Sequence, residues 1–149
     1  MVNLKRTDSH DPDFQILIAE LDVNLREIYD QLMDVYDEHN VIEELDTVVV
    51  AYVDDEPAGC GCFKHFNEDA AELKRMFVRK NFRGQGISGL ILAELEAWAK
   101  EKNHIVTVLE TGEKNIEALG LYRKSGYSPM PNYGPYVNLR SSFCFRKRL

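Results

Sequence analysis

The sequence predicts a mixed α+β domain, and three observations carry that expectation. Segments of β-branched or alternating character recur along the chain, among them VNLKRT, TVVVAYV, AELKRMFV and HIVTVLE. Two long stretches carry apolar residues at helical spacing. The strands do not alternate strictly with helices: three consecutive ones stand in the middle, in the order β-α-(α)-β-β-β-α-β-α-β-β.

Residues 2–7 alternate and form the first strand. Asp11-Pro12 sets a capping acid before a proline, a helix start. Phe14, Leu17, Ile18, Leu21, Leu25, Ile28 and Leu32 follow at helical spacing. Helix therefore fills much of 12–40, with room for a break near Tyr29–Asp30. Its polar face carries Glu20, Glu27, Asp30, Asp34, Asp37 and Glu38. Residues 47–53 read as a strand, Asp54-Asp55-Glu56-Pro57 as a turn, and 58–66 as the returning strand. After a polar turn near 67–69, AAELKRMFV (70–78) is a third antiparallel strand. Arg83-Gly84-Gln85-Gly86 opens a helix with the stripe Ile87, Leu90, Ile91, Leu95 and Trp98. Residues 104–110 form an apolar strand, 115–124 a helix stopped at Gly126, and 141–148 a last alternating strand.

The 149 residues suit one domain spanning 1–149. A chain of this size buries roughly two thirds of its unfolded surface, so it needs no staples. Three cysteines (Cys60, Cys62, Cys144) make a disulfide framework improbable. The N-terminal stretch lacks a secretory signal and no apolar run approaches the ~20 residues of a membrane span, which predicts a cytoplasmic protein with no membrane partner. A net charge of −7 argues against nucleic acid. That charge is split: residues 1–56 hold sixteen acids and three bases, residues 57–149 nine acids and fifteen bases.

The most informative stretch runs from a strand through glycines into a helix (70–98). Glycines let the backbone approach a ligand, and a helix start adds partial positive charge, so the turn suits a phosphate or pyrophosphate. Arg83 adds a full charge. Gly84-x-Gly86-x-x-Gly89 matches the dinucleotide fingerprint literally, with Glu110 at the end of the next strand as the ribose acid. Two features reject it. A fingerprint strand is buried on both faces and nearly all apolar, whereas ELKRMFV alternates with charges. The chain is also too short for two mononucleotide-binding halves.

Arg83-x-x-Gly86-x-Ser88 resembles the (Gln/Arg)-x-x-Gly-x-(Gly/Ala) signature of the GNAT superfamily of N-acetyltransferases, with Ser88 a small departure at the last position. Asn115-x-x-Ala118-x-x-x-Tyr122-x-x-x-Gly126-Tyr127 is similar to a second family segment, and the resemblance covers about 47–127. It implies a mostly antiparallel sheet of six to seven strands, splayed between the fourth and fifth, with about four helices. It implies acetyl-CoA as co-substrate, held by Arg83, Gly84, Gln85, Gly86, Ile87, Ser88 and Gly89 of the turn. Phe77 and Val78 of the preceding strand would help, a main-chain amide there serving as oxyanion donor. Asn115 and Tyr122 would complete the CoA site.

Acetyl transfer to an amine needs a base, oxyanion stabilisation and an acid for the departing thiolate, and no metal. Glu72, eleven residues before Arg83, is the expected base, against the plainer reading of a salt bridge with Lys74 or Arg75. Glu110 is the rival base and otherwise an acceptor-binding group. Tyr122 is the expected acid, against a core tyrosine. Cys60-x-Cys62 with His65 is too short a set for zinc, and buried thiols are expected. The loop PMPNYGPYVN (129–138) offers Tyr133 and Tyr136 to a small-molecule acceptor, and the acidic helix face favours a cationic amine. A non-catalytic acyl-CoA sensor on the same fold is the alternative, binding CoA without turnover. Dimerisation is common in such folds, and no sequence feature fixes it.

Overall fold

The protein is described by a computed structural model covering residues 1–29 and 44–149. The expected helix beyond Tyr29, with Leu32, Asp30, Asp34, Asp37 and Glu38, lies outside the described residues. A seven-stranded sheet is built from β1 (Val2–Thr7), β2 (Val48–Val53), β3 (Glu56–His65), β4 (Ala70–Val78), β5 (Val106–Gly112), β6 (Ser128–Met130) and β7 (Ser142–Arg148). Its spatial order is β1-β2-β3-β4-β5-β7-β6. Three helices are described: α1 (Pro12–Tyr29), α2 (Ile87–Glu101) and α3 (Ile116–Lys124).

Local chemistry sets these limits. Asp11 caps α1, its Oδ1 accepting the amides of Asp13 at 2.9 Å and Phe14 at 3.3 Å. The β2–β3 hairpin turns on Asp54 and Asp55 alone, both left-handed at φ 50° and 67°, and Glu56 already belongs to β3. The turn is thus shorter than the four residues expected. Gly126, at φ 94°, follows α3.

Strand periodicity divides the core in two. Ala71, Leu73, Leu109 and Phe145 face α2 and α3, joining Ile91, Leu95 and Tyr122 in one apolar cluster. Val48, Val50, Cys60, Cys62 and Phe77 face α1 and pack on Phe14, Leu17 and Leu21. The α2 stripe is rotated from expectation: Leu90 is 45% exposed and Leu92 is buried instead. Ile87, Ile91 and Leu95 recur every four residues, so the core lies on their Leu92–Ala99 side rather than toward Leu90.

Two irregularities in β4 shape the site. Cys60 pairs with Phe77 and Cys62 with Lys74, so β4 carries one residue more than β3 there. Arg75 lies in that bulge at φ 59°. Gly61 stands opposite the bulge on β3, where a Cβ would lie 2.5 Å from the Met76 sulfur. Upstream of the bulge, β4 and β5 run parallel, through Ala70↔Val106, Ala71↔Thr107 and Glu72↔Val108. Beyond Glu72 the strands part.

Candidate active site

The parting of β4 and β5 leads to a cleft of about 960 Å³. Val78, Gly84, Gly86 and Ser88 line one side, Asn115 and Tyr122 the other. Gly86 precedes the first turn of α2 in a left-handed conformation (φ 78°), and no side chain caps that turn. Its early amides therefore keep their hydrogen-bonding capacity for a ligand. A Cβ built on Gly84, Gly86 or Gly89 would meet nothing within 4 Å, so the space beside the backbone is open. These groups fit the pyrophosphate of a coenzyme A molecule.

The other turn residues have distinct duties. Gln85 is exposed, and Ile87 is buried in the core at 1% exposure, offering only backbone to the cleft. Arg83 does not simply stand at the mouth. Its Nε donates to the Val78 carbonyl at 2.9 Å and its Nη1 lies 3.6 Å from Glu117. It braces the end of β4 against the turn while its guanidinium stacks 5.9 Å from the Phe77 ring centre. Asn115 caps α3, its Oδ1 accepting the Ala118 amide at 3.4 Å. Tyr122 is buried at 5% exposure, with its ring edge-on to Tyr127 at 5.6 Å. Burial, and then the charge of Glu110, push its phenol well above the ordinary value, so it stays protonated at neutral pH.

The two glutamates share the α1 face of the sheet. Glu72 pairs with Val108, and Glu110 lies two residues further along β5. Their environments differ. Glu72 is 6% exposed and accepts the Tyr133 hydroxyl at 2.8 Å. No ion pair with Arg75 forms, because Arg75 reaches Asp22 of α1 at 2.5 Å. Glu110 accepts the Ser142 hydroxyl at 2.6 Å. Burial raises its carboxyl to about 7, against the lowering influence of Ser142 and Lys74. Neither glutamate lines the cleft itself, whereas Tyr122 lines it and feels the charge of Glu110.

The 129–138 loop is pinned by Asn132, whose Nδ2 donates to the carbonyls of Tyr136, Leu139 and Ser142 at 3.0–3.2 Å. Tyr133 packs edge-on to Phe66 at 4.8 Å and to Tyr136 at 5.8 Å. Tyr136 is buried at 2% exposure and supports Tyr133 rather than presenting an open face. Burial and the Glu72 charge raise the Tyr133 phenol strongly. Cys60 and Cys62 are fully buried, and burial pushes the Cys62 thiol up to about 12.

The acidic face of α1 looks different once folded. Glu20 pairs with Arg79 at 2.6 Å, Asp22 with Arg75, and Glu27 approaches Lys80 at 3.7 Å. Asp13 accepts the Tyr52 hydroxyl at 2.6 Å. The described acids of this helix thus pair with bases on and just after β4 and with Tyr52 of β2, and Glu27 also lines the cleft.

A parted sheet beside an open glycine turn at a helix start is the frame of an acyl-group transferase. The sequence profile of the acetyltransferase (GNAT) family matches residues 11–127, and the chain belongs to that family. An IAA acetyltransferase of Azospirillum brasilense is 32% identical over 128 residues, 80% of this chain and 80% of that protein. A Klebsiella pneumoniae subsp. pneumoniae protein described as an acyl-CoA N-acyltransferase superposes with a TM-score of 0.81 at 28% identity, covering 100% of this chain and 98% of that one. A GNAT family acetyltransferase of Elizabethkingia anophelis, solved with acetyl-CoA bound, has the same fold at a TM-score of 0.69 and 20% identity, covering 99% and 98%. The chain is an acyltransferase, and no described helix is long and apolar enough to cross a membrane.

Proposed function

We propose that this protein moves the acetyl group of acetyl-CoA to the primary amine of a small acceptor, directly, with both bound together. Acetyl-CoA, when bound, supplies an acyl carbon activated as a thioester. Residues of the turn, Gly84 to Gly89, hold its pyrophosphate through backbone amides. Glu110 takes the proton that the amine loses as its nitrogen bonds to the acyl carbon. A main-chain amide near Phe77–Val78 steadies the oxyanion. Tyr122 gives its proton to the sulfur as the carbon–sulfur bond breaks. The amine arrives as an ammonium, which is what remains of the expected cationic acceptor; it first yields one proton to solvent so that the neutral nitrogen attacks, and Glu110 and Tyr122 regain their starting protonation by exchange with solvent after transfer.

One observation carries the choice of base. Glu110 is partly buried, has one hydroxyl donor in view and ionises near neutral pH, where a base works best. Glu72 serves as the anchor of Tyr133. This order reverses the expectation from sequence, where position on β4 favoured Glu72. A panel of amines with acetyl-CoA and a thiol-release readout tests the reaction. Calorimetry tests the donor: CoA binds in the micromolar range and NAD does not, and the opposite result sinks the reading.

A further inference from the structure

A set of hydrogen bonds at the rim of the α2–α3 cluster ends beside Tyr122 without including its hydroxyl. Thr107 of β5 and Lys147 of β7 are register partners, and alternation puts them on the same side of the sheet as Leu109 and Phe145. Tyr127, just beyond α3, is buried against them. Its hydroxyl donates to Oε2 of Glu96 on α2 at 2.8 Å and lies 2.7 Å from the Thr107 hydroxyl. A phenol has one proton, so with that proton on Glu96 it is Thr107 that donates to Tyr127. Lys147 completes the set, its Nζ 3.0 Å from Glu96 Oε1 and 5.7 Å from the Tyr127 ring centre. Thus α2, β5, β7 and the chain beyond α3 converge on one ring. Tyr122 has no comparable anchor: among the described residues its hydroxyl makes no hydrogen bond. Its ring is placed by contact. The Tyr127 ring meets it edge-on at 5.6 Å, and the Tyr127 amide donates to the Tyr122 carbonyl at 3.0 Å.

We infer that Tyr127 is a positioning residue for the transfer: its hydroxyl, held between Glu96 and Thr107, fixes the ring that aims Tyr122 at the departing sulfur. The inference rests on the acetyl-transfer reading, in which Tyr122 protonates the thiolate. Aim matters because a donor displaced by a fraction of an ångström loses rate while the coenzyme still binds. A phenylalanine at 127 keeps the ring, its apolar contacts and the backbone bond to Tyr122, and loses only the hydroxyl that Glu96 and Thr107 hold.

A double-mutant cycle tests this, with kcat read by thiol release for the best amine of the panel. Tyr127→Phe should lower kcat about 10-fold and keep CoA affinity, measured by calorimetry, within about 2-fold of native. In the Tyr122→Phe background the same substitution should move kcat by less than about 2-fold, because no phenol remains to be aimed. A merely structural loss lowers kcat by the same factor in both backgrounds, and that result overturns the inference, as does a native kcat in Tyr127→Phe. Thr107→Val removes the other hydroxyl and should repeat the pattern, while Thr107→Ser keeps it and should restore kcat; these two decide the matter if Tyr127→Phe does not fold. Native turnover in Tyr122→Phe would overturn the inference and leave acetyl transfer standing. A second readout is NMR of protein carrying ring-labelled tyrosine, with CoA bound and the Tyr122 signals identified by their loss in Tyr122→Phe. Tyr127→Phe should shift those signals, and unmoved signals overturn the inference. Shifted signals with no thiol released for any amine would uphold the aiming of Tyr122 and overturn the acetyl-transfer reading instead.

Discussion

The two faces of the sheet bury very different things. Against α2 and α3, the strands contribute Ala71, Leu73, Leu109 and Phe145 to one continuous apolar cluster. Against α1, the same strands place Glu72, Lys74 and Glu110 beside the apolar Cys62 and Phe77. Leu73 and its two neighbours show the division within three residues. Alternation lets one strand serve an apolar core and a charged face at once, because each step of the chain changes sides. Stability is concentrated where nothing ionises. The other face tolerates buried charge because each group has a partner across a strand or a helix, as Arg75 has Asp22.

Substitutions on the two faces should therefore fail in different ways. The largest effects are on rate. Glu110→Gln should lower kcat by about 10²–10⁴-fold and abolish the rise of activity through about pH 7. Stability should move the opposite way. A carboxyl raised from 4.5 to about 7 by folding favours the folded state only while protonated, so native stability declines as pH climbs between those values. The Gln variant should then melt higher than the native protein at about pH 8 and lose that advantage toward pH 4.5. Glu72→Gln should act mainly on acceptor KM and keep the pH limb, since it loosens Tyr133; a limb lost there and kept in Glu110→Gln would exchange the two roles. Tyr122→Phe should keep fold and CoA affinity and cost about 10²–10⁴ in rate; unchanged turnover removes it from the chemistry.

On the apolar face, Leu95→Ala should cost about 2–5 kcal/mol in denaturant unfolding, because Leu95 is fully buried against β3 and leaves a cavity. Its kcat in the surviving folded fraction should be near native. A large kcat loss would show that the faces are coupled. Gly86→Val should weaken CoA by about 10-fold or more, since a β-branched residue resists φ 78° and fills the space beside the backbone. Smallest of all, Glu27→Gln should shift stability by less than about 0.5 kcal/mol and leave amine KM unchanged, its contact with Lys80 being exposed. A raised KM would return the α1 acids to the acceptor side.

Most of the fold could be read from the chain. The strand limits at Val2–Thr7 and Ala70–Val78 coincide with the expected segments, because alternation and flanking turn residues mark strands locally. The Arg83–Gly89 turn was legible for the same reason: glycines and helix start are adjacent in sequence. What was not legible depends on contacts between distant segments. The bulge at Arg75 arises from pairing with β3, and nothing within β4 itself announces it. The α1 acids look solvent-bound in sequence, and only folding brings Arg75 and Arg79 beneath them. Leu90 fits a helical stripe as well as Leu92 does, and the position of the sheet decides between them. Glu72 and Val108 are 36 residues apart, so their pairing is a product of the parallel crossover.

The short parallel ladder between β4 and β5 also bears on how the chain reaches this state. Three residue pairs join the β1–β4 meander to the β5–β7 ribbon, and the connection runs the whole length of α2. Hairpin contacts within β2–β4 close short loops and cost little entropy, whereas the seam requires a long one. The meander should therefore organise first and the seam last, so that the reactive gap is the final feature to appear and the first to open. Pulse-labelled hydrogen exchange during refolding would show Val49 and Phe63 amides protected ahead of Val108 and Leu109. Simultaneous protection would mean that the two halves condense as one nucleus.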